Sequence, residues 1–182
     1  MKSISTKRLR FRVAVFLAVA VIAVLLDRLT KLWALASLDG DENVVVVPKL
    51  LSLTLVHNPG ASLGLGSSVT WLISCLASVA CVVLAYLGLT TGSLWWASGL
   101  ALAFAGAFGN LTDRVVYARG FLNGSVVDFL NYGWSVGNVA DIELVLAVVI
   151  IVVLLFVGVP LRAKETLEQA SATAAGSGVD DR

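Results

Sequence analysis

The chain has 182 residues, of which 58% are hydrophobic and only 14% are charged, and its mean hydropathy is +0.92. Soluble domains are about 45–50% apolar and about 25% charged, so this composition excludes an ordinary soluble protein and indicates an integral membrane protein. The formal net charge is +1, and no basic patch contains interleaved aromatic residues, so nucleic acid is not an expected partner.

The first apolar run predicts a membrane span over residues 13–36, which exceeds the about 20 residues that a helix needs to cross a bilayer. This span requires that Asp27, Arg28 and Lys31 lie near the far interface or face other helices. Basic residues crowd positions 1–12 ahead of it, and this pattern predicts a cytoplasmic N-terminus. Asp27 and Lys31 are four residues apart with the acid first, the favourable order for a pair on one helical face. A cleaved signal peptide ending at Ala34-Leu35-Ala36 is an alternative, and the charges ahead of that segment count against it.

Residues 43–66 differ from the apolar runs. Their β-branched residues, and the alternation in LSLTLVHN, predict two short strands separated at Pro48. Asn58-Pro59-Gly60 is typical of a turn, and the glycine-rich residues after it are expected to lead back into the membrane. With a cytoplasmic N-terminus, this β element lies outside the cytoplasm.

Three further apolar runs predict spans over residues 69–89, 94–112 and 139–159. Four spans return the chain to its starting side, which agrees with the basic residues that follow the last span. Residues 161–182 are expected to form a cytoplasmic tail that is disordered for most of its length, because it becomes rich in Ala, Ser and Gly. The predicted fold is a membrane all-α, four-transmembrane-helix bundle over residues 13–160, with a small extracytoplasmic β element.

Polar residues gather at the predicted outer end of this bundle. Such groups at membrane depth are costly and are functional candidates by default. They are Asp27, Asn58, Asp113, Arg114, Asp128, Asn138 and Asp141. Asp128 and Asp141 are the candidate acid/base pair, because two adjacent carboxylates cannot both ionise easily and come to share a proton. One of them can then activate a water molecule while the other protonates a carbonyl or leaving group.

Structural roles compete with this interpretation. Gly106, Gly109, Asn110 and Asp113 fall on one face of the third span, where small residues let helices approach and polar residues point into the bundle. Asp113 and the adjacent Arg114 are expected to form an ion pair or a helix-terminal network that holds spans together.

Other polar residues also have plain interpretations. Asn110 and Asn138 are candidates for interhelical hydrogen bonds. Asp128 is predicted in a loop, where an exposed aspartate is ordinary. Glu143, two residues after Asp141, is expected on another side of its helix, towards lipid headgroups.

Metal and disulfide chemistry are not expected. His57 is the only histidine, and no cluster of His and Cys surrounds it, so a zinc site is improbable. Cys75 and Cys81 are six residues apart in one apolar run, which is roughly 9 Å along a helix and too far for a disulfide.

Five segments of the sequence resemble signal peptidase II, the lipoprotein signal peptidase family of bacteria. In chain order they are DRLTK (27–31), HNPGASLG (57–64), GAFGNLTDR (106–114), VVDF (126–129) and NVAD (138–141). The resemblance implies a membrane aspartyl endopeptidase that cuts prolipoproteins before a diacylglyceryl-modified cysteine. It also implies that the β element is an extracytoplasmic β-cradle over the site.

The same resemblance implies roles for individual residues. Asp128 and Asp141 match the family's catalytic pair. Positions that shape the site or hold substrate are matched by Asp27, Lys31, Asn58, Gly60, Asn110, Asp113, Arg114, Asn138 and Ala140. The implied partners are a diacylglyceryl-prolipoprotein, membrane lipid and globomycin-type inhibitors, with no metal and no cofactor. The implied setting is a monomer in the bacterial cytoplasmic membrane, with both termini cytoplasmic and the site near the outer face.

The chain departs from the family pattern at three places. Gly137 stands where the family usually has Phe, Ala61-Ser62-Leu63 where it often has Ala-Ala-Phe, and Ala105-Gly106 where a glycine pair is common. The first two changes reduce side-chain volume near the predicted site, so the fine shape of the pocket is expected to differ. Pro59 and the long C-terminal tail suggest an actinobacterial version.

Two other functions are alternatives. A small ion or proton transporter would use the same outer-end acids, but its usual signature is broken helices or polar residues near the midplane. Here the spans are continuous and the acids lie at one end. A structural four-helix membrane protein is the other alternative, and it predicts that Asp128 is dispensable.

Overall fold

Four long helices dominate the computed structural model, which describes residues 2–39, 43–60 and 66–162. They are α1 (Lys2–Ser37), α2 (Thr70–Thr90), α3 (Leu94–Val116) and α4 (Val139–Val157). Each contains a stretch long and apolar enough to cross a membrane. Together with the small sheet described below, these helices confirm the predicted fold class.

Helix α3 is the central helix of the bundle. It packs against each of the other three helices. In its 18-residue apolar stretch, 50% of the residues are buried, compared with 17–22% in the corresponding stretches of the other three helices. Small residues make this packing possible: Ala97, Ala101 and Ala105 are fully buried. The predicted polar face of α3 is confirmed, since Gly106, Gly109 and Asp113 are buried. The helix continues to Val116, beyond the predicted end of the third span.

Four short strands form one antiparallel sheet in the order β1-β2-β3-β4. They are β1 (Val44–Val47), β2 (Leu51–Asn58), β3 (Val126–Asn131) and β4 (Val136–Gly137). The first two are the strands predicted on either side of Pro48. The last two were not predicted, and the expectation of Asp128 in a loop is wrong, because Asp128 lies within β3 and is only 2% exposed.

Two predicted segments fall outside the described residues. The glycine-rich turn is described only to Gly60 and again from Gly66, where a short 3-10 turn (Ser67–Val69) leads into α2. The tail after residue 162 also lies outside them. Helix α4 ends at Val157 because Gly158 adopts a left-handed conformation, with φ of 73°, and caps it.

Hydrogen bonds close the bundle at the end opposite the sheet. Trp96 Nε1 donates to the carbonyl oxygen of Val159 at 2.9 Å, and Thr91 Oγ1 donates to that of Leu161 at 2.8 Å. Arg12 donates to the carbonyl oxygen of Gly92. The start of α1, the α2–α3 turn and the end of α4 therefore meet at one end, which leaves the sheet and the predicted site at the other.

Candidate active site

Asp128 is held by two neutral amides. Its Oδ1 accepts a hydrogen bond from Asn138 Nδ2 at 2.6 Å, and its Oδ2 accepts one from Asn58 Nδ2 at 2.9 Å. Asn58 is positioned at the end of β2, where its Oδ1 accepts from the backbone N–H of Gly60 at 3.0 Å. These contacts orient the Asp128 carboxylate without placing a cation directly on it.

Asp141 lies in the first turn of α4, within a capping box. Its Oδ2 accepts from the backbone N–H of Asn138 at 3.0 Å, and its own N–H donates to Asn138 Oδ1 at 3.1 Å. A carboxylate at this position is stabilised by the orphan N–H groups and the dipole of the helix. Asn110 Nδ2 donates to Asp141 Oδ1 at 3.0 Å, which ties the carboxylate to α3.

Two asparagines connect the two carboxylates. Asn138 Nδ2 lies within hydrogen-bonding distance of both Asp128 Oδ1 and Asn110 Oδ1, at 2.6 Å and 3.0 Å. Asn110 in turn donates to Asp141. The path Asp128–Asn138–Asn110–Asp141 therefore joins β3, α3 and α4, so these asparagines also have the interhelical role considered from the sequence.

The surroundings of Asp128 favour its protonated form. The pKa of Asp128 is raised from 3.8 to about 6, mainly by burial. The negative charge of Asp141 contributes to this rise, while the amides of Asn58 and Asn138 and the charge of Lys31 oppose it. Asp128 is thus a carboxyl group that can carry a proton at mildly acidic pH.

Both carboxylates line one cavity of about 910 Å³. Asn58, Gly60, Asn110 and Arg114 add polar groups to its wall. The rest of the lining is mainly apolar, and much of it comes from β1, the turn after it, β2 and α4, including Val47, Leu50, Leu51, Ile142, Val145 and Leu146. A mainly apolar cleft with a few convergent polar groups is typical of a ligand-binding site.

A cluster of four charges supports this site from the α1 side. Lys31 Nζ lies 3.0 Å from Asp27 Oδ2 and 2.8 Å from Asp113 Oδ2, which confirms the predicted pairing of Asp27 with Lys31. Arg28 contacts both acids. Lys31 also donates to Asn110 Oδ1 at 3.0 Å, so the charged cluster and the amide path form one hydrogen-bonded system.

Of the two roles expected for Asp113 and Arg114, the ion pair between them is not formed, whereas a network at the end of α3 that ties it to other elements is found. Successive helical residues point in directions about 100° apart, and Asp113 pairs with Arg28 and Lys31 instead. Arg114 donates to the carbonyl oxygen of Gly60 at 2.7 Å. It therefore fastens the turn after β2 to α3.

Helix α4 approaches this cluster through its backbone. The N–H of Ala140 donates to Asp27 Oδ1 at 3.2 Å, and Ala140 is fully buried. A Cβ at Gly109 would lie 2.5 Å from Asp27 Oδ2, so glycine there leaves space for that carboxylate. The predicted site residues lie in the amide path, in the charged cluster or in direct contact with them, except Gly60, which is joined to them through Asn58 and Arg114.

No group of three or more His, Cys, Asp or Glu side chains placed to hold a metal ion occurs in the ranges that the structure describes. Cys75 and Cys81 are free thiols.

A model of the family described as signal peptidase (SPase) II matches residues 19–157. This chain belongs to the signal peptidase II family. A lipoprotein signal peptidase of Bifidobacterium longum subsp. infantis is 61% identical over 163 residues, which is 90% of each chain. A lipoprotein signal peptidase of Mycobacterium tuberculosis is 38% identical over 148 residues, covering 81% of this chain and 73% of the relative. A solved structure of a bacterial membrane enzyme superposes with a TM-score of 0.68 and 28% identity, covering 78% of this chain and 87% of that one.

Membership of the signal peptidase II family confirms the resemblance carried by the five sequence segments and makes the chain a peptidase of bacterial membranes. The family match begins at residue 19 and ends at the last residue of α4. It therefore spans both carboxylates, the charged cluster and the sheet, while it leaves out the first part of α1.

Three residues outside the predicted site lie next to it. Arg28 was not among the predicted site residues, but it faces another helix, as one of its two expected placements required, and contacts Gly109 and Asp113 of α3. Glu143 was expected to face lipid headgroups, and this is wrong: it is 5% exposed, and neither carboxylate oxygen has a hydrogen-bond partner among the described residues. Gly137 leaves room for Asp141, because a Cβ there would lie 2.7 Å from Asp141 Oδ2.

Proposed function

We propose that this chain is an aspartyl endopeptidase that removes signal peptides from prolipoproteins and cuts before a diacylglyceryl-modified cysteine. The observation that carries the proposal is that Asp128 and Asp141 line one cavity and are joined through Asn138 and Asn110. The name of the relatives, lipoprotein signal peptidase, supports the substrate class. The family resemblance supports the position of the cut.

In the proposed reaction Asp141 is the base. Its carboxylate, stabilised at the N-terminus of α4, takes a proton from a water molecule whose oxygen attacks the scissile carbonyl carbon. Asp128 is the acid, because its raised pKa lets it hold a proton that it gives to the carbonyl oxygen. The product of this step is a neutral tetrahedral diol.

The diol then collapses with the roles reversed. Asp128 takes back a proton from one hydroxyl as the carbonyl re-forms, and Asp141 gives its proton to the leaving nitrogen as the C–N bond breaks. Both carboxyl groups return to their starting states, so the cycle needs neither a metal ion nor a covalent intermediate. Asn58, Asn110 and Asn138 position the acids through the hydrogen bonds described above.

The walls of the cavity suit an apolar, lipid-linked substrate. Leu50 and Leu51 of the β1–β2 region and Ile142 and Val145 of α4 lie on the same cavity as the two acids. A signal peptide and acyl chains both present apolar surface, whose burial is favourable by roughly 25 cal/mol per Å². Such a substrate would approach from the membrane, because α4 exposes apolar side chains along its length.

We further propose the orientation expected from the sequence. Residues 1–12 and 161–182 would lie in the cytoplasm, and the four-span peptidase domain over residues 13–160 would hold the site near the outer face. The support is that Lys7, Arg8 and Arg10 lie on α1 at the end away from Asp27 and the sheet.

A cleavage assay tests the proposed function. Purified protein in detergent is mixed with a diacylglyceryl-modified prolipoprotein and, separately, with the same precursor lacking the lipid. Wild type is compared with Asp128→Asn and Asp141→Asn, and with Asp39→Asn as a control, because Asp39 is an exposed acid just after α1. We expect only the lipidated precursor to be cut, with each active-site variant slowed by about 10²–10⁴-fold and the control unchanged.

Particular results contradict particular parts of the proposal. Activity close to that of the wild type in either active-site variant overturns the role of that residue. Equal cleavage of the unlipidated precursor overturns the substrate assignment. Ion flux through vesicles containing the wild type, without any cleavage, would instead favour the transport alternative.

A further inference from the structure

A second cavity, of about 500 Å³, lies on the other face of the sheet. Its lining residues are His57, Tyr117, Arg119, Asn123 and Ser125. In the sheet, Val56 pairs with Asp128 and His57 pairs with Val127. Because successive strand residues point to opposite faces, His57 and Asp128 lie on different sides of the sheet. The proposed peptidase reaction therefore uses none of the residues of this second cavity.

The second cavity is lined by hydrogen-bond donors, and one of its lining side chains, that of Arg119, is a cation. None of its five residues is acidic, and each side chain can donate. No acid within the described ranges forms an ion pair with Arg119. Asn123 Oδ1 is already occupied by the backbone N–H groups of Arg119 and Gly120, at 3.1 and 2.8 Å, so Asn123 offers its Nδ2 as a donor. This composition favours an anion.

The apolar surroundings of the cavity indicate where that anion comes from. Tyr117 follows the last residue of α3, and the neighbouring Val115 and Val116 are 52% and 62% exposed. Phe121, in the loop that carries Arg119 and Asn123, is 71% exposed. Apolar side chains next to a polar, cationic pocket at the end of a span are typical of the level where hydrocarbon gives way to headgroups.

We propose that this cavity binds the phosphate of a membrane phospholipid, with Arg119 as its counter-ion. A phosphodiester carries one negative charge, which matches the single positive charge that Arg119 contributes to the pocket. A guanidinium binds phosphate oxygens through paired N–H donors, and Ser125 and His57 supply further donors beside it. The acyl chains would lie along the exposed side chains of Val115 and Val116.

Native mass spectrometry of the full chain in detergent tests this site. The probe is phosphatidylglycerol, and the parallel arms use diacylglycerol, which lacks the phosphate, and inorganic phosphate, which lacks the lipid. We expect Arg119→Gln to weaken phosphatidylglycerol binding by about tenfold, as expected for loss of one charge-assisted contact, and to leave diacylglycerol binding unchanged. Lys49→Gln is the matched control, because Lys49 is an exposed cation in the β1–β2 turn outside the cavity.

Ser125→Ala gives a second measure that does not alter charge, and a twofold to fivefold loss is expected from one neutral hydrogen bond. Equal binding by wild type and Arg119→Gln would overturn the site, as would an equal loss in Lys49→Gln. Tight binding of inorganic phosphate in the absence of lipid binding would overturn the lipid assignment. Cleavage of lipidated precursor should persist in Arg119→Gln, so failure of this proposal is distinguishable from failure of the proposed peptidase function.

Discussion

Two buried aspartates of this chain have opposite electrostatic surroundings. Asp113 is fully buried beside Lys31 and Arg28, so its charge is neutralised by direct partners. Asp128 is equally inaccessible, but its direct partners are the uncharged amides of Asn58 and Asn138. Burial of an unneutralised carboxylate disfavours ionisation. The contrast suits Asp113 for support and Asp128 for proton transfer.

The raised pKa of Asp128 predicts how stability depends on pH. An acid whose pKa is higher in the folded protein adds stability that is fully present below its unfolded pKa, near 3.8, and is lost as pH rises through about 6. We therefore expect the melting temperature of the wild type, relative to Asp128→Asn, to fall between pH 4 and pH 6 and then level off. Intrinsic tryptophan fluorescence during heating in detergent measures both proteins.

This comparison isolates Asp128, because both proteins share every other titratable group. A difference in melting temperature that stays constant from pH 4 to pH 6, or that rises, would show that Asp128 does not have the raised pKa proposed for the acid. It would also remove the reason for assigning the two catalytic roles in that order.

Sequence spacing predicted the residue contacts that follow helical geometry. Asp27 and Lys31 pair because residues four apart share a helical face. Asp113 and Arg114 are adjacent, so they diverge, and the partners of Asp113 on α1 are more than eighty residues away. Such a choice depends on how two helices dock, which a single sequence does not state.

At the scale of elements, strand β3 shows why part of the site was missed. Its first four residues, Val126–Phe129, are all buried, because β2 and β4 flank the strand and α1 and α3 contact it. A strand covered on both faces lacks the period-two pattern that marks a half-buried strand. The alternating sequence of β2 did reveal that strand.

The α3–α4 contact leads to a prediction in which two effects oppose each other. Gly106→Ala should gain about 1 kcal/mol in helix propensity, but the new Cβ would lie 2.5 Å from the backbone carbonyl oxygen of Ala140. Backbone cannot rotate away, and overpacking of this kind costs about 1–3 kcal/mol. We expect a net loss of stability, seen as a melting temperature lowered by a few degrees.

Gly99→Ala is the matched control on the same helix. Its Cβ would lie 2.9 Å from Cγ2 of Ile150, a side-chain atom that can move by a change of rotamer, so its loss should be smaller. A Gly106→Ala protein that melts at or above the wild-type temperature, or a larger loss in Gly99→Ala, would contradict the close α3–α4 approach.

For the whole molecule, the bilayer explains why composition predicted the fold class so directly. A spanning segment must satisfy its own backbone hydrogen bonds, so long apolar runs can only be helices here. The exposed side chains of the four helices are largely apolar, as in Leu25, Val82 and Phe156, so hydropathy marks their positions. The sheet has no such constraint, and half of it was found only in the structure.

Orientation is the remaining property of the whole molecule, and cysteine labelling tests it. In a chain with Cys75→Ala and Cys81→Ala, single cysteines are introduced by Lys49→Cys, in the β1–β2 turn, and Arg10→Cys, near the start of α1. Both positions are exposed, so a membrane-impermeant maleimide reaches them only from their own side. In intact cells we expect Lys49→Cys to be labelled and Arg10→Cys to be labelled only after the membrane is opened.

The two positions are matched in native charge and exposure, so a difference between them reports the side of the membrane. The opposite labelling pattern would place the cavity with Asp128 and Asp141 in the cytoplasm. A peptidase site there could not meet precursors after their export, so that pattern would overturn the outer-face proposal even if cleavage in detergent succeeded. Labelling of both positions in intact cells would contradict the inference that α1 carries the chain across the bilayer.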